Sequence, residues 1–267
     1  MSDFISIERK ADLSPRQCDY YSHIHDYYEI LYFICGDCRF SIEGSIYQLN
    51  PGDIIIICDL EHHHLILDSD SRYERMVIHF KEDFFNSFDS SAFLLRPFNS
   101  RSLGQCNLYS AKSCDTSKLR FYLDRIMIQQ QKQASPSLLY PYLFTFLIEL
   151  NDLFDQKLQE KTIPSDSLAH QITAFINQHL CEDISLNDIA DHFFISKPHL
   201  NRIFQTATGM TVWNYVISKR LLLARSRIQN GQLISYVCQD CGFHDYSSFF
   251  KLYKKKFGIS PKEDKRV

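Results

Sequence analysis

His23, His25 and Glu29 fall within seven positions, in the run His23-Ile-His25-Asp-Tyr-Tyr-Glu29. On an extended strand the two histidines point to one face, and Glu29 joins them across a bend. With a later histidine they supply three nitrogens and one carboxylate, a donor set suited to a divalent transition metal. His62, His63 and His64 follow downstream, but because they are consecutive only alternate ones share a face, so the spacing does not choose the fourth donor. The same groups also suit hydrogen bonding to a small polar ligand in the mouth of a barrel. Strand alternation adds Arg39, Tyr47 and His79 as further lining candidates.

A second chemistry is thiol-based. Cys35-Gly-Asp-Cys38 and Cys238-Gln-Asp-Cys241 each have zinc-knuckle spacing. They lie 200 residues apart, one on a strand turn and one on the buried face of a helix, so apolar filling is the favoured reading and a redox or metal sensor the alternative. With nine cysteines, an odd number at irregular spacings, a paired disulfide set is not expected; buried thiols are.

These residues need elements to hold them. From about residue 20 to 80, β-branched and aromatic residues alternate with polar ones between turn signals such as Gly36-Asp37, Glu43-Gly44 and Asn50-Pro51-Gly52, which predicts short strands of a sandwich or barrel. Ile54–Ile57 and 75–80 are the clearest strands. From Ser117 the period changes: Leu119, Tyr122, Leu123, Ile126 and Met127 mark one amphipathic helix, and Leu143, Phe146, Leu147, Leu150 and Phe154 a second. Pro141 should kink or shorten the start of that second helix. The polar stretch from Gln156 to Ser167 is the predicted linker.

The last hundred residues read as helical throughout. Ser185 and Ser196 are placed to cap two successive helices, the second ending near Gly209. The outline then repeats: a long helix from Thr211 to Asn230, a short one from Ile234 to Cys241, and a last one capped by Asp245 and ending at Gly258. Two helix-turn-helix units result. A connecting helix of about 20 residues spans about 30 Å, close to the ~34 Å between successive major-groove faces on one side of DNA. Stepping 100° per residue from buried Leu200, Ile203 and Phe204 leaves Pro198, Arg202 and Gln205 outward, with Asn201 on the shoulder. In the second unit Ser247, Lys251 and Lys254 face outward, Phe250 sits on the shoulder, and Tyr246 reaches the groove from the helix start. Arg202 suits guanine, Asn201 or Gln205 adenine, and Phe250 the thymine methyl, while Lys197, Lys255 and Lys256 suit phosphates.

The chain of 267 residues is long enough for about two domains. Net charge is -3, but residues 1–164 carry 16 basic against 23 acidic side chains, and the rest 13 against 9. An acidic body thus bears a mildly basic tail, which fits a DNA-binding module joined to something else. No apolar run reaches membrane-spanning length, and the start lacks a signal-peptide pattern, so a cytoplasmic protein is expected.

Several ordered motifs then resemble one family. Ile184-Ser-Leu, Ile189-Ala190, Leu200-Asn-Arg-Ile-Phe204, Thr208-Gly209, Tyr215, Arg220-Leu221, Gly242-Phe243, Ser248-Phe249-Phe250 and Phe257-Gly258-Ile-Ser-Pro261 resemble the AraC/XylS transcription regulators over about residues 168–263. Cys238, Cys241, Arg227 and Asp264 depart from the usual residue types. Toward the other end, His23-x-His25-x3-Glu29 with Gly36, then Pro51-Gly52-Asp53 with His63, resembles the two cupin motifs. The resemblance implies an α+β two-domain chain: a cupin-like β-barrel and two dimerisation helices over 1–160, then an all-α double helix-turn-helix over 161–267. It further implies a homodimeric activator reading double-stranded promoter DNA and working with RNA polymerase. The barrel would hold a small effector, often a sugar, at His23, His25, Glu29, Arg39, Tyr47, His63 and His79. No cofactor, catalytic residue or membrane contact is expected; a metal on His23, His25, Glu29 and His63, in a cupin enzyme or sensor, is the competing reading.

Overall fold

The computed structural model describes residues 5–85, 91–133, 135–159 and 167–265. Strands β1 (Ile5–Asp12), β2 (Tyr28–Cys35), β3 (Cys38–Ile42), β4 (Ser45–Gln48), β5 (Ile54–Ile57), β6 (His63–Leu67), β7 (Tyr73–Phe80) and β8 (Leu108–Tyr109) form two antiparallel sheets. One is ordered β1-β7-β2-β5-β8 and the other β4-β3-β6. The first strand precedes the stretch marked by alternation, because Ile5 and Ile7 are only half-buried and charged residues follow them.

The run Ile54-Ile-Ile-Ile57 lacks polar alternation because both of its faces are covered. Ile55 and Ile57 point into the barrel with Leu31, Phe33, Phe40 and Leu65. Ile54 and Ile56 point outward into a second core with Tyr28, Ile30, Ile78 and Phe80. That outer core is closed by short helices α1 (Ser91–Leu94) and α2 (Arg96–Asn99) and by the long α3 (Ser117–Gln131) and α4 (Tyr140–Gln159). Leu119, Leu123, Ile126, Leu143, Phe146, Leu147 and Leu150 supply the helical side, as their spacing predicted. Pro141 is the second residue of α4, where its missing N–H has no intrahelical partner to lose, so the helix starts one residue ahead of it. The linker begins later than expected, since residues 156–159 continue α4; the proposed boundary at 160/161 lies outside the described residues.

The last hundred residues fold as α5 (Leu168–Gln178), α6 (Leu186–His192), α7 (Lys197–Thr208), α8 (Val212–Gln229), α9 (Ile234–Asp240) and α10 (Tyr246–Phe257). Ser185 makes a reciprocal capping box with Asp188. Ser196 and Asp245 accept from the amides of His199 and Ser248. Gly209 and Gly258 close α7 and α10 in the left-handed conformation. Leu200, Phe204, Val216 and Ile172 core the first unit; Phe249, Tyr253, Val237 and Ala224 core the second.

Of the nine cysteines, four are buried: Cys38, Cys58, Cys238 and Cys241. The expectation that most are buried is corrected: Cys35, Cys106 and Cys114 are half-buried, and Cys18 and Cys181 are exposed. Burial pushes the Cys38 and Cys241 thiols up to about 12, so they stay protonated and behave as small apolar side chains.

Candidate functional site

The barrel holds a half-open cavity of about 460 Å³. At its floor β2 supplies Glu29, β7 supplies His79, and the bridge between His23 and His63 brings those two imidazoles together. Glu29 Oε2 accepts from His79 Nε2 at 3.0 Å and His25 Nε2 at 3.2 Å, with His63 Nε2 at 3.8 Å. Full burial alone would raise the Glu29 carboxyl, but the bonds from His25 and His79 outweigh it and hold the group well below the usual carboxylate range. His63 is buried and pulled well below the ordinary histidine value by desolvation, so its ring is neutral. Its Nδ1 donates to Glu61 O at 3.0 Å, which leaves the lone pair of Nε2 aimed into the cavity with no partner.

The structure thereby resolves the three-histidine run. His63 faces the cavity, whereas His62 bonds to Ser22 and His64 to Gln17 on the other face. The donor atoms of His23, His25, Glu29 and His63 lie within 4.8 Å of one another. Three imidazoles, a charged carboxylate and the partnerless His25 Nδ1 and His63 Nε2 fit a divalent transition metal, with the Glu61 carbonyl orienting the His63 ring. They equally fit a ligand rich in hydroxyls. Tyr20, Tyr73 and Phe40 give apolar walls, and Lys10, Glu8 and Arg75 bring charges to the rim.

Of the proposed lining residues, His25 sits against Glu29 without lining the cavity, and Arg39 and Tyr47 are elsewhere. Arg39 points out of the barrel and grips Asp68 with three bonds of 2.6–3.0 Å. Tyr47 donates to Gly104 O at 2.6 Å beneath the 102–107 loop. Tyr47, cross-strand from Phe40, shares the inner face but is drawn away from the cavity to the loop, whereas Arg39 lies on the outer face, which alternation alone does not identify. Tyr20, Tyr73 and Arg75 went unassigned for the same reason.

On the helical side, Lys197, Pro198, Arg202 and Gln205 are exposed on α7, with Asn201 half-buried on the shoulder. Tyr246, Ser247, Lys251, Lys254 and Lys255 are exposed on α10, with Phe250 half-buried. Arg202 Nη2 rests 2.9 Å from His199 Nδ1, leaving the rest of its fork for a base edge. Arg220 is a residue whose role the periodicity hid. From α8 it donates to Leu180 O, Glu182 O and Gly242 O at 2.6–2.7 Å, pinning the turn of the second unit to the first. Asp264, the departure at the tail, is buried and accepts from Arg225, Gln229 and Tyr253 at 2.8–2.9 Å.

Residues 13–173 match the AraC-like ligand binding domain, and residues 189–266 a helix-turn-helix domain. The chain belongs to the AraC family. It is a DNA-binding transcription regulator with a ligand-binding domain ahead of its helix-turn-helix domain. Among curated relatives of this AraC-family chain, the HTH-type transcriptional activator RhaS of Escherichia coli O1:K1 / APEC is 25% identical over 97% of this chain and 93% of its own length. RhaS of Escherichia fergusonii is also 25% identical, with the same coverage. Among solved structures, ToxT from Vibrio cholerae O395 covers 98% of this chain and 97% of its own, at 15% identity and a TM-score of 0.40. Among the described residues no helix is long and apolar enough to cross a membrane.

Proposed function

We propose that this chain activates transcription from a promoter it binds as a homodimer, in the cytoplasm, in response to a carbohydrate held in the barrel cavity. The observation that carries the reading is the pairing, in one chain, of an imidazole–carboxylate cavity with two capped helices whose exposed faces bear Arg202 and Gln205, and Lys251 and Lys254. Curated relatives aligned over nearly the whole length carry the name of transcriptional activator. Hydroxyls of a sugar ring match the acceptors and donors of Glu29, His79 and His63, and Tyr20 and Tyr73 offer faces for its apolar side. Phe121 and Ile148 remain exposed on α3 and α4, opposite the face packed on the barrel, and form the proposed dimer contact. RNA polymerase is the proposed partner at the promoter.

Footprinting on the chain's upstream region, with a panel of monosaccharides, tests this. A protected site whose affinity or extent changes with one sugar, and loses that response in Glu29→Gln, is the expected result. No preference for any upstream fragment over scrambled DNA would overturn it.

The unpartnered Nε2 of His63 favours a second reading, in which a divalent metal held by His23, His25, Glu29 and His63 completes the ligand site. Such an ion would supply a Lewis-acidic contact for a ligand oxygen. Metal analysis of purified protein decides it: one equivalent, lost in His63→Ala, is expected under this reading, and a metal-free wild type excludes it.

A further inference from the structure

The turn between β3 and β4 reaches into the DNA-binding half through one side chain. Glu43 is 1% exposed and holds a left-handed backbone at φ 49°. Its Oε1 accepts from Lys219 Nζ at 2.6 Å and from the His62 amide at 2.7 Å. Its Oε2 accepts from Asn177 Nδ2 at 3.0 Å and from the Tyr215 hydroxyl. Thr173 Oγ1 donates to its carbonyl at 2.6 Å. Apart from the His62 amide, these donors come from α5 and α8 of the first unit. Three of the carboxylate's four bonds are therefore exchanged for water if that unit lifts away, and only the His62 amide stays.

A second strand of the contact starts at His62. Ser22 Oγ donates to Thr208 O at 2.6 Å, at the end of α7, so the His62 Nε2 2.6 Å away must be the donor to Ser22. Its Nδ1 is then the acceptor nitrogen, and it is buried without a partner. Desolvation pulls His62 well below its ordinary value, in keeping with a neutral ring. The next residue, His63, points the opposite way, into the cavity. Glu43 N donates to His62 O at 3.0 Å, and His63 is cross-strand from Ile42, the neighbour of Glu43. The group that meets a ligand and the groups that hold the DNA-binding unit thus share two paired peptides.

We propose that Glu43 and His62 form a latch that couples occupancy of the cavity, sensed by His63, to the seating of the first helix-turn-helix unit on the barrel. This rests on the reading of the cavity as the effector site. The latch orients the unit without covering it, since Pro198, Arg202 and Gln205 stay exposed while it is closed. An occupant moves the equilibrium only as far as it binds one seating better than the other. Glu43 and His62 are positioning residues, since neither lines the barrel cavity.

Hydrogen–deuterium exchange on the full chain, with no effector added, tests the latch. In Glu43→Gln or Lys219→Met, amides of α5 and the end of α7 should exchange at least tenfold faster, while β2 and β7 keep their protection. His63→Ala, a change on the cavity side, should speed the same amides in the wild-type background and add less than twofold in the Glu43→Gln background. That non-additivity is what a merely structural carboxylate would not produce. Unchanged exchange in Glu43→Gln overturns the latch; fully additive or absent effects of His63→Ala overturn its coupling to the cavity. Thr173→Val, which removes one hydroxyl from the contact, gives the same comparison should Glu43→Gln not fold. Because no ligand is used, a chain that binds no sugar leaves this outcome intact, and a failed latch leaves sugar binding standing.

Discussion

The two helix-turn-helix units share a plan and differ in what holds them. The first is seated on the barrel by buried polar bonds between α5, α7 and α8 and Glu43 and Ser22, and the outer side of α7 is mixed, with arginine and amides. The second is held by its own core and by Asp264, and its exposed side is dominated by lysines. Planar guanidinium and amide groups read bases, whereas flexible ammonium groups neutralise phosphates. The first unit is tied to the barrel by several buried polar bonds, whereas the Asp264 anchor of the second meets it through Arg225, 3.8 Å from Asp26.

The largest effects should come from the cores. Phe204→Ala and Phe249→Ala each remove a fully buried ring and should cost about 3–5 kcal/mol in thermal or denaturant unfolding. Exchange should show the first loosening the barrel contact and the second leaving it intact; equal loosening would erase the distinction between the units. Next, Arg202→Ala should weaken binding to the best upstream fragment by about 1–3 kcal/mol and relax the choice at one base pair. Lys251→Ala or Lys254→Ala should lower affinity evenly across sequences and reduce the salt slope by about 1, read from binding at several salt concentrations.

The helix-ending glycines sharpen the contrast. A methyl at Gly209 would lie 3.0 Å from Ser22 Cβ and 3.1 Å from the His64 ring, while nothing stands within 4 Å at Gly258. Both substitutions strain a left-handed backbone by about 1–2 kcal/mol, and Gly209→Ala should lose more because it also presses on the barrel. Equal melting temperatures for the two variants would argue against a tight first contact. The smallest effect is in acid. Burial alone would raise the Asp264 carboxyl, but bonds from Gln229, Arg225 and Tyr253 hold it below its ordinary value of 3.8. Its contribution is full above that pH and is lost as pH falls through the lower folded value, so Asp264→Asn should flatten the acid limb of the unfolding curve.

Much of the helical half was legible because its signals are local. Ser185, Ser196 and Asp245 bond amides within three residues, and Gly209 and Gly258 need only their own backbone. The 100° step placed Arg202, Gln205, Lys251 and Lys254 outward because helix geometry fixes the faces once the buried side is known. In the barrel the period of two gave strands but not which face is inside, so Arg39 was misassigned, Tyr47 was given the right face but the wrong partner, and only the family resemblance singled out His63 from His62 and His64. Glu43 was read only as half of a turn dipeptide. Its partners Thr173, Tyr215 and Lys219 lie 130 to 176 positions away, and no periodicity carries that information.

The connecting helix α8 runs 18 residues, and Arg220 within it fixes the second unit's turn against the first. A rigid rod of this kind behaves as a gauge with angular memory. Each residue inserted into it would swing the second reading head by 100° and advance it by ~1.5 Å. The smallest insertion that nearly restores the phase, four residues, would still push the heads ~6 Å apart, so operators for length variants should be recoverable only by changing the number of base pairs between half-sites.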